Sequence, residues 1–271
     1  MQSYYFFVFW TPAFNIRLLV PKRTEMQVIK LNATDSTNAH IKRMNSEETL
    51  PDFTVVQADL QTAGRGQMEA RWEAEGGKNL TFSLLKRFGA FPAQRHFTLN
   101  ATICLSIYKA LRDLNIPELN LKWPNDILSG NRKLCGILVE NQLQGANISQ
   151  SIIGIGLNVN QTTFPNLPGA TSIKKLTGGD FELDQLLSIL LNRLESDLIA
   201  LSSGDLNNVL EEYEKYLYLK DTPAAFKRRD GSPLEGIIRG VSPVGLLQIE
   251  HTDGSVESFA NKELQFPDGN I

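Results

Sequence analysis

Apolar and polar residues alternate along Gln27-Val-Ile-Lys-Leu31, and two denser apolar runs follow, Phe53-Thr-Val-Val56 and Leu80-Thr-Phe-Ser-Leu-Leu85. The first reads as a half-buried strand and the others as buried strands. Between the two runs lies Gln57 to Leu80, far longer than the usual connection of about 4–6 residues. Gly64 and Gly66 flank Arg65, Trp72 sits mid-stretch, and Gly76-Gly77 closes it. Glycines let successive backbone N–H groups converge on an anion, and an arginine among them adds charge. The stretch alone fits either a mobile surface hairpin or a ligand loop.

Upstream, Asp35 or Ser36 is placed to cap a short helix over Ala39-His-Ile-Lys-Arg-Met44. A helix start exposes unpaired N–H groups, so this segment suits either simple capping or a grip on a polar ligand. Ile103, Ile107, Ala110, Leu111 and Leu114 recur at helical spacing and predict a helix over 95–115, with Pro117 just beyond. In Lys122-Trp-Pro-Asn-Asp126, Pro124 holds Trp123 extended and ends a strand, presenting Asn125 and Asp126 at its tip. That pair forms an Asx-turn or holds a metal or phosphate. A tight turn over 129–132 leads into an apolar strand from Lys133 to Glu140, where Lys133 either snorkels to solvent or faces a ligand.

The strand from Ser151 to Asn160 has two unlike faces. Period two puts Ile153, Ile155, Leu157 and Val159 on one side and Gly154, Gly156, Asn158 and Asn160 on the other. Two glycines on one strand face imply close approach of a ligand or of a packed helix. A leucine-rich helix is predicted over 181–201 and a second over 206–217. From Lys220 the texture changes to short alternating runs split by Asp230-Gly231, Pro243-Val-Gly245 and Asp253-Gly254, the signals of hairpins in a small β-barrel. The expected layout is an extension over 1–25, a large domain over 26–219 and a small β-domain over 220–271. Tyr4 to Trp10 is apolar but too short to span a bilayer, and it lacks a signal peptide's basic start and cleavage site. Met26 is therefore read as the natural start, which N-terminal sequencing of native protein would check.

Composition narrows the classes. A net charge of −3 and a pI near 5.7 argue against a dedicated nucleic-acid binder while leaving room for a nucleotide. The two cysteines, Cys104 and Cys135, are distant and form no CxxC or His/Cys cluster, which fits a reducing, cytoplasmic setting. The three histidines stand apart from every motif above.

Read together, Asp35-Ser-Thr-Asn38, Gln61-Thr-Ala-Gly-Arg-Gly-Gln67 with Trp72, Lys122-Trp-Pro-Asn-Asp126 with Lys133 to Glu140, and Gly154-Ile-Gly-Leu-Asn158 closely resemble the biotin–protein ligases (holocarboxylase synthetases) in order and spacing. The resemblance covers Gln27 to Asn160 and, loosely, the C-terminal β-domain. It implies an α+β fold: a class II synthetase-like mixed sheet flanked by helices, followed by an SH3-like barrel. It also implies a two-step reaction, in which ATP and biotin give biotinyl-AMP and a lysine of a biotin carboxyl carrier domain then takes the biotinyl group. By that pattern Ser36, Thr37, Asn38, Gln61, Gly64, Arg65, Gly66 and Gln67 bind biotin with Lys133. Trp72, Lys122, Asn125, Asp126 and Asn158 meet ATP or the adenylate, and Asp126 meets Mg²⁺. Lys133 and Arg65 are the implied catalytic cations. The stretch from Gln57 to Leu80 becomes a lid, expected to be poorly ordered until the adenylate forms. Many members carry arginine where Gln67 stands and glycine where Glu69 stands, and a carboxylate near phosphate is unfavourable unless it faces solvent. Rival readings are a lipoate or octanoate ligase, whose arginine- and glycine-rich signature is absent, and a biotin-responsive repressor, for which the stretch before Asp35 is too short to hold a helix-turn-helix. No membrane or nucleic-acid partner is expected, and a homodimer is left open.

Overall fold

The computed structural model describes residues 26–67, 70–204 and 208–267, together with the backbone of a short antiparallel pair, β1 (Tyr5–Phe6) and β2 (Leu19–Val20). The reading of residues 1–25 as an extension lies otherwise outside the described residues.

Seven strands form the main sheet: β3 (Val28–Thr34), β4 (Val55–Gln61), β5 (Leu80–Pro92), β6 (Leu119–Lys122), β7 (Asp126–Ser129), β8 (Arg132–Gln144) and β9 (Asn147–Leu157). Their order is β3-β4-β5-β9-β8-β7-β6, with β3 and β4 parallel and every other pair antiparallel, so the sheet is mixed as expected. Because side chains alternate across a pleated strand, neighbouring residues serve different layers. Val55, Leu84 and Ile153 enter the main core, while Val56, Leu85 and Ile152 pack with Ile41 on the opposite face. The main core is covered by α2 (His96–Asp113), α4 (Leu183–Ser203) and α5 (Val209–Lys215). The other face carries α1 (Thr37–Glu47), against β4, β5 and β9. A one-turn helix, α3 (Ile173–Thr177), adds Ile173 to the main core.

Several boundaries differ from those the sequence predicts. β4 runs to Gln61, so the first residues of the long stretch are strand, since pairing with β3 outlasts the apolar run. α1 begins at Thr37 with Ser36 at the cap position, yet neither Ser36 nor Asp35 caps it through a side chain; Gln61 Oε1 accepts the Thr37 N–H at 2.8 Å instead. Asp35 is drawn outward into a two-bonded pair with Arg43, at 2.7 and 2.8 Å. β9 ends at Leu157, and Asn160 turns away to bond the backbone of Phe181. α5 starts at Val209, and residues 205–207 lie outside the described chain.

The C-terminal sheet comprises β10 (Pro223–Arg228), β11 (Pro233–Val241), β12 (Leu247–Glu250), β13 (Val256–Phe259) and β14 (Leu264–Gln265). It is an antiparallel meander whose last strand returns beside its first, in the order β13-β12-β11-β10-β14. It is fastened to the Trp-Pro turn of the main sheet and to α5: Trp123 Nε1 donates to Gly245 O at 3.0 Å, and Glu214 of α5 accepts the Val241 N–H at 2.7 Å. Gly245 has φ +89° and lies on the Phe97 ring, so a side chain there would meet both strain and a clash. The two sheets therefore meet at the end of β6, where the main cavity opens.

Candidate active site

A cavity of about 560 Å³ lies on the α1 side of the main sheet. Its walls are the start of α1, the β6–β7 turn, the chain between β4 and β5, and the edge of the C-terminal sheet. Ser36, Thr37, Asn38, Gln61, Arg65, Gly66, Gln67, Trp72, Lys122, Asn125, Asp126 and Lys133 all line it, so most of the residues singled out from sequence converge here. Gly64 and Asn158 do not line it. Gly64 sits at the base of the lid, where an added side chain would overlap the Trp72 carbonyl. Asn158 is buried just past the end of β9, with its N–H bonded to Leu134 O at 3.0 Å.

One wall is neutral and polar. Ser36, Thr37 and Asn38 are each at least 95% buried. Thr37 Oγ1 lies 3.1 Å from Gln61 Oε1 and 2.6 Å from Ser83 Oγ, which in turn lies 2.5 Å from Asn38 Oδ1. Asn38 Nδ2 donates to Glu140 at 2.7 Å, and Lys42 reaches the same carboxylate at 2.6 Å. Burial alone would raise the Glu140 pKa, but hydrogen bonds from Lys42 and Asn38, with the charges of Lys42 and Arg65, outweigh it and hold the group below its ordinary value. Ser83 and Glu140 are participants that the sequence reading did not single out. Both sit on apolar strands whose alternation marks them as facing the cavity side, which is the only signal that could have found them.

The opposite wall is cationic. Among the described lining residues, Arg65, Arg71, Lys122, Lys133, Arg228, Arg229 and Lys262 face a single carboxylate, Asp126. Lys133 Nζ lies 2.8 Å from Asp126 Oδ1, and the Lys133 backbone is clamped by Gly169 O and the Thr171 N–H, at 2.8 and 2.9 Å. Lys133 thus faces the cavity instead of snorkelling away. Asn125 is turned inward by its bonds with Ile137, and Lys122 lies 5.0 Å from the centre of the Phe266 ring. Arg228 is partly neutralised by a two-bonded pair with Glu257, at 2.6 Å each. So strong an excess of positive charge in a concave site suits a polyanion.

The floor explains the glycines of β9. Asn38 rests on Gly154, and the Trp72 indole lies on Gly156 and Gly136, which pair across β8 and β9. A methyl group at Gly154 or Gly156 would overlap those side chains. The packed-helix reading of the glycine face is met at Gly154, where a residue of α1's first turn packs, while the lid tryptophan packs on Gly156. Gly64 to Trp72 is a small hairpin, with Trp72 N–H bonded to Gly64 O at 3.1 Å and Arg65 bridged to Arg71. Met68 and Glu69 lie outside the described residues, so the expectation for Glu69 does too. Gln67 accepts a hydrogen bond from Asn261 of the C-terminal sheet, which ties the lid to that domain. Replacing Asn261 with alanine is expected to open the hairpin and speed tryptic cleavage at Arg65 and Arg71 about two- to tenfold, the range set by one net hydrogen bond. An unchanged cleavage rate would contradict the tie.

Two buried polar atoms near the floor, Trp72 Nε1 and Asn158 Oδ1, have no hydrogen-bond partner among the described residues. Buried polar atoms are normally satisfied, so these two await a ligand or water. Cys135, next to the clamp at Lys133, is wholly buried, and burial pushes its thiol pKa up, which makes it a poor nucleophile. The site is built to position and neutralise reactants and holds no evident attacking side chain.

Residues 31–158 match the Biotin/lipoate A/B protein ligase family. The biotin--[acetyl-CoA-carboxylase] ligase of Mycobacterium tuberculosis is 33% identical over 222 residues, covering 80% of each chain. The bifunctional ligase/repressor BirA of Bacillus subtilis is 28% identical over 228 residues, 83% of this chain and 68% of that protein. The structure of the biotin protein ligase from Aquifex aeolicus in complex with biotin and ATP superposes with a TM-score of 0.72 at 26% identity, covering 88% of this chain and 97% of that one. With the cavity, the mixed sheet and these likenesses in agreement, the chain belongs to the biotin protein ligases.

Proposed function

We propose that this chain joins biotin to a lysine of a biotin carboxyl carrier domain, through biotinyl-5′-AMP made from biotin and ATP. The observation that carries the reading is the union, in one cavity, of a neutral hydrogen-bonding wall at Ser36–Asn38 and a cationic wall around Lys133. The first matches a ureido ring; the second matches a carboxylate beside phosphates.

In the first step a carboxylate oxygen of biotin attacks the α-phosphorus of ATP, and the bond to the β-phosphate breaks to release pyrophosphate. Negative charge gathers on the phosphoryl oxygens. Lys133 and Arg65 stabilise it, Lys133 exchanging its bond with Asp126 for one with the substrate. Lys122 and Asn125 hold the phosphates, and Ser36, Thr37, Asn38, Gln61, Gly66 and Gln67 hold biotin. Trp72 covers the adenylate side. A single lining carboxylate cannot cage a metal alone, and among the described residues no group of three metal-ligating side chains occurs. Asp126 instead fits a Mg²⁺ that arrives on ATP and is mostly held by phosphates and water. In the second step the neutral lysine amine attacks the acyl carbon, AMP leaves, and the amine loses a proton. The hairpin shields the anhydride from water until then.

No described helix is long and apolar enough to cross a membrane. Two free, buried cysteines accord with a reducing, cytoplasmic setting. Incubation with ATP and an apo carrier domain, using tritiated biotin or lipoate in parallel, tests the substrate. Label is expected from biotin; transfer of lipoate alone would overturn the reading in favour of the other branch of the family.

A further inference from the structure

We propose that Glu140 is a positioning residue for biotin: its carboxylate fixes the orientation of the Asn38 amide, and through it the donor–acceptor polarity of the wall that meets the ureido ring. The inference rests on the functional reading above and deepens it.

A carboxylate can only accept, whereas an amide can donate from nitrogen and accept at oxygen. Asn38 must therefore turn Nδ2 toward Glu140, at 2.7 Å, and Oδ1 toward Ser83, at 2.5 Å. An amide oxygen cannot donate, so the single Ser83 hydroxyl hydrogen goes to Asn38. Ser83 then offers Thr37 Oγ1, 2.6 Å away, only a lone pair. The Thr37 hydroxyl directs its own hydrogen at Ser83 or at Gln61 Oε1, which already accepts the Thr37 N–H at 2.8 Å. One acceptor-only group thus sets the direction of a chain running through four residues. Gln61 is set separately by the donor-only Thr37 N–H, whereas the Asn38 amide and the Ser83 and Thr37 hydroxyls can each be turned round, so it is Glu140 that orients Asn38.

The network has little room to adjust. The Asn38 amide lies flat on Gly154, and Asn38, Thr37 and Ser83 are almost wholly buried. Lys42 anchors Glu140 from outside at 2.6 Å, and the lid's Arg65 approaches it at 3.9 Å. Glutamine at 140 would keep the size of the side chain but could present its own N–H₂ to Asn38. That would allow the amide to turn and the chain to reverse. A ureido group, with its carbonyl acceptor and N–H donors in fixed places, discriminates between the two senses.

The test is calorimetric titration of biotin into the full chain. Glu140→Gln is expected to weaken biotin binding about tenfold or more, as loss of a hydrogen bond to a charged group does. The ATP KM in pyrophosphate exchange is expected to stay within about twofold, because Glu140 meets the cationic wall only at Arg65, 3.9 Å away. Lys42→Ala, which leaves the bond between Glu140 and Asn38 in place, is expected to weaken biotin binding less than Glu140→Gln does. Ser83→Ala should also weaken biotin binding, and the double variant should lose less than the sum of the singles, since both act through one amide. A folded Glu140→Gln protein that binds biotin like wild type would overturn the proposal, as would strictly additive singles. If Glu140→Gln did not fold, an unchanged biotin affinity in Ser83→Ala would overturn it instead. Failure of the wild-type chain to bind biotin would mark the functional reading, not this residue, as wrong.

Discussion

Replacing Lys133 with alanine is expected to cut biotin-dependent ATP–pyrophosphate exchange about 10³-fold, with the fold retained. A cation about 4 Å from the reacting phosphate contributes on the order of 4 kcal/mol at an effective dielectric near 20, and each 1.4 kcal/mol is tenfold in rate. The geometry supports the larger end of such effects. The Lys133 backbone is clamped on both sides by 169–171, and its ammonium is already in the cavity, 2.8 Å from Asp126. Little reorganisation is needed to bring it to substrate. Removing it leaves Asp126 without that partner in a half-buried position, so a modest fall in thermal stability should accompany the loss of activity. A folded variant exchanging near the wild-type rate would show that another cation does the work, and Lys122 would be the next to replace.

Gly156→Ala carries the second large effect. A methyl group at position 156 would overlap the Trp72 ring, which cannot stay where it is. The ring also rests over Gly136, the residue paired with Gly156, so its seat on the floor depends on both glycines. The hairpin that carries Trp72 must therefore lift from the floor. Misplacement of a covering element by about 1 Å can cost on the order of 10²-fold in rate. The expectation is a fall of that size in adenylate formation, with the ATP KM raised and tryptophan emission shifted to the red as Trp72 meets water. Wild-type kinetics together with unshifted emission would mean that the tryptophan does not work from the glycine floor.

Most of this architecture was legible in the chain because burial leaves a period. The faces of β9 were readable from Ile153, Ile155, Leu157 and Val159 alone, and all four lie in the main core. The helices α2 and α4 were equally plain from their apolar stripes. The ends of elements were not, since hydrogen bonding continues where the pattern fades. β4 extends to Gln61 through its pairing with β3, not through side-chain burial. Ser36 holds the cap position as read, but the bond that serves the first turn is not local: Asp35 is claimed by Arg43, and Gln61 reaches across from β4. Twelve of the chosen site residues meet in one cavity because their motifs stand at strand ends and a helix start, where a fold gathers loops. Residues supplied by the small β-domain, such as Asn261 and Phe266, were out of reach. Their contribution depends on how two sheets dock, and no short motif encodes that. Gln67, puzzling in the sequence, gains a partner in Asn261 that only the tertiary structure reveals.

The account stands or falls on exchange of labelled pyrophosphate into ATP by the purified, folded chain, with and without biotin. It predicts rapid exchange that requires biotin and Mg²⁺ and nearly vanishes in Lys133→Ala. Folded wild-type protein that shows no exchange, or exchange indifferent to biotin, would contradict it.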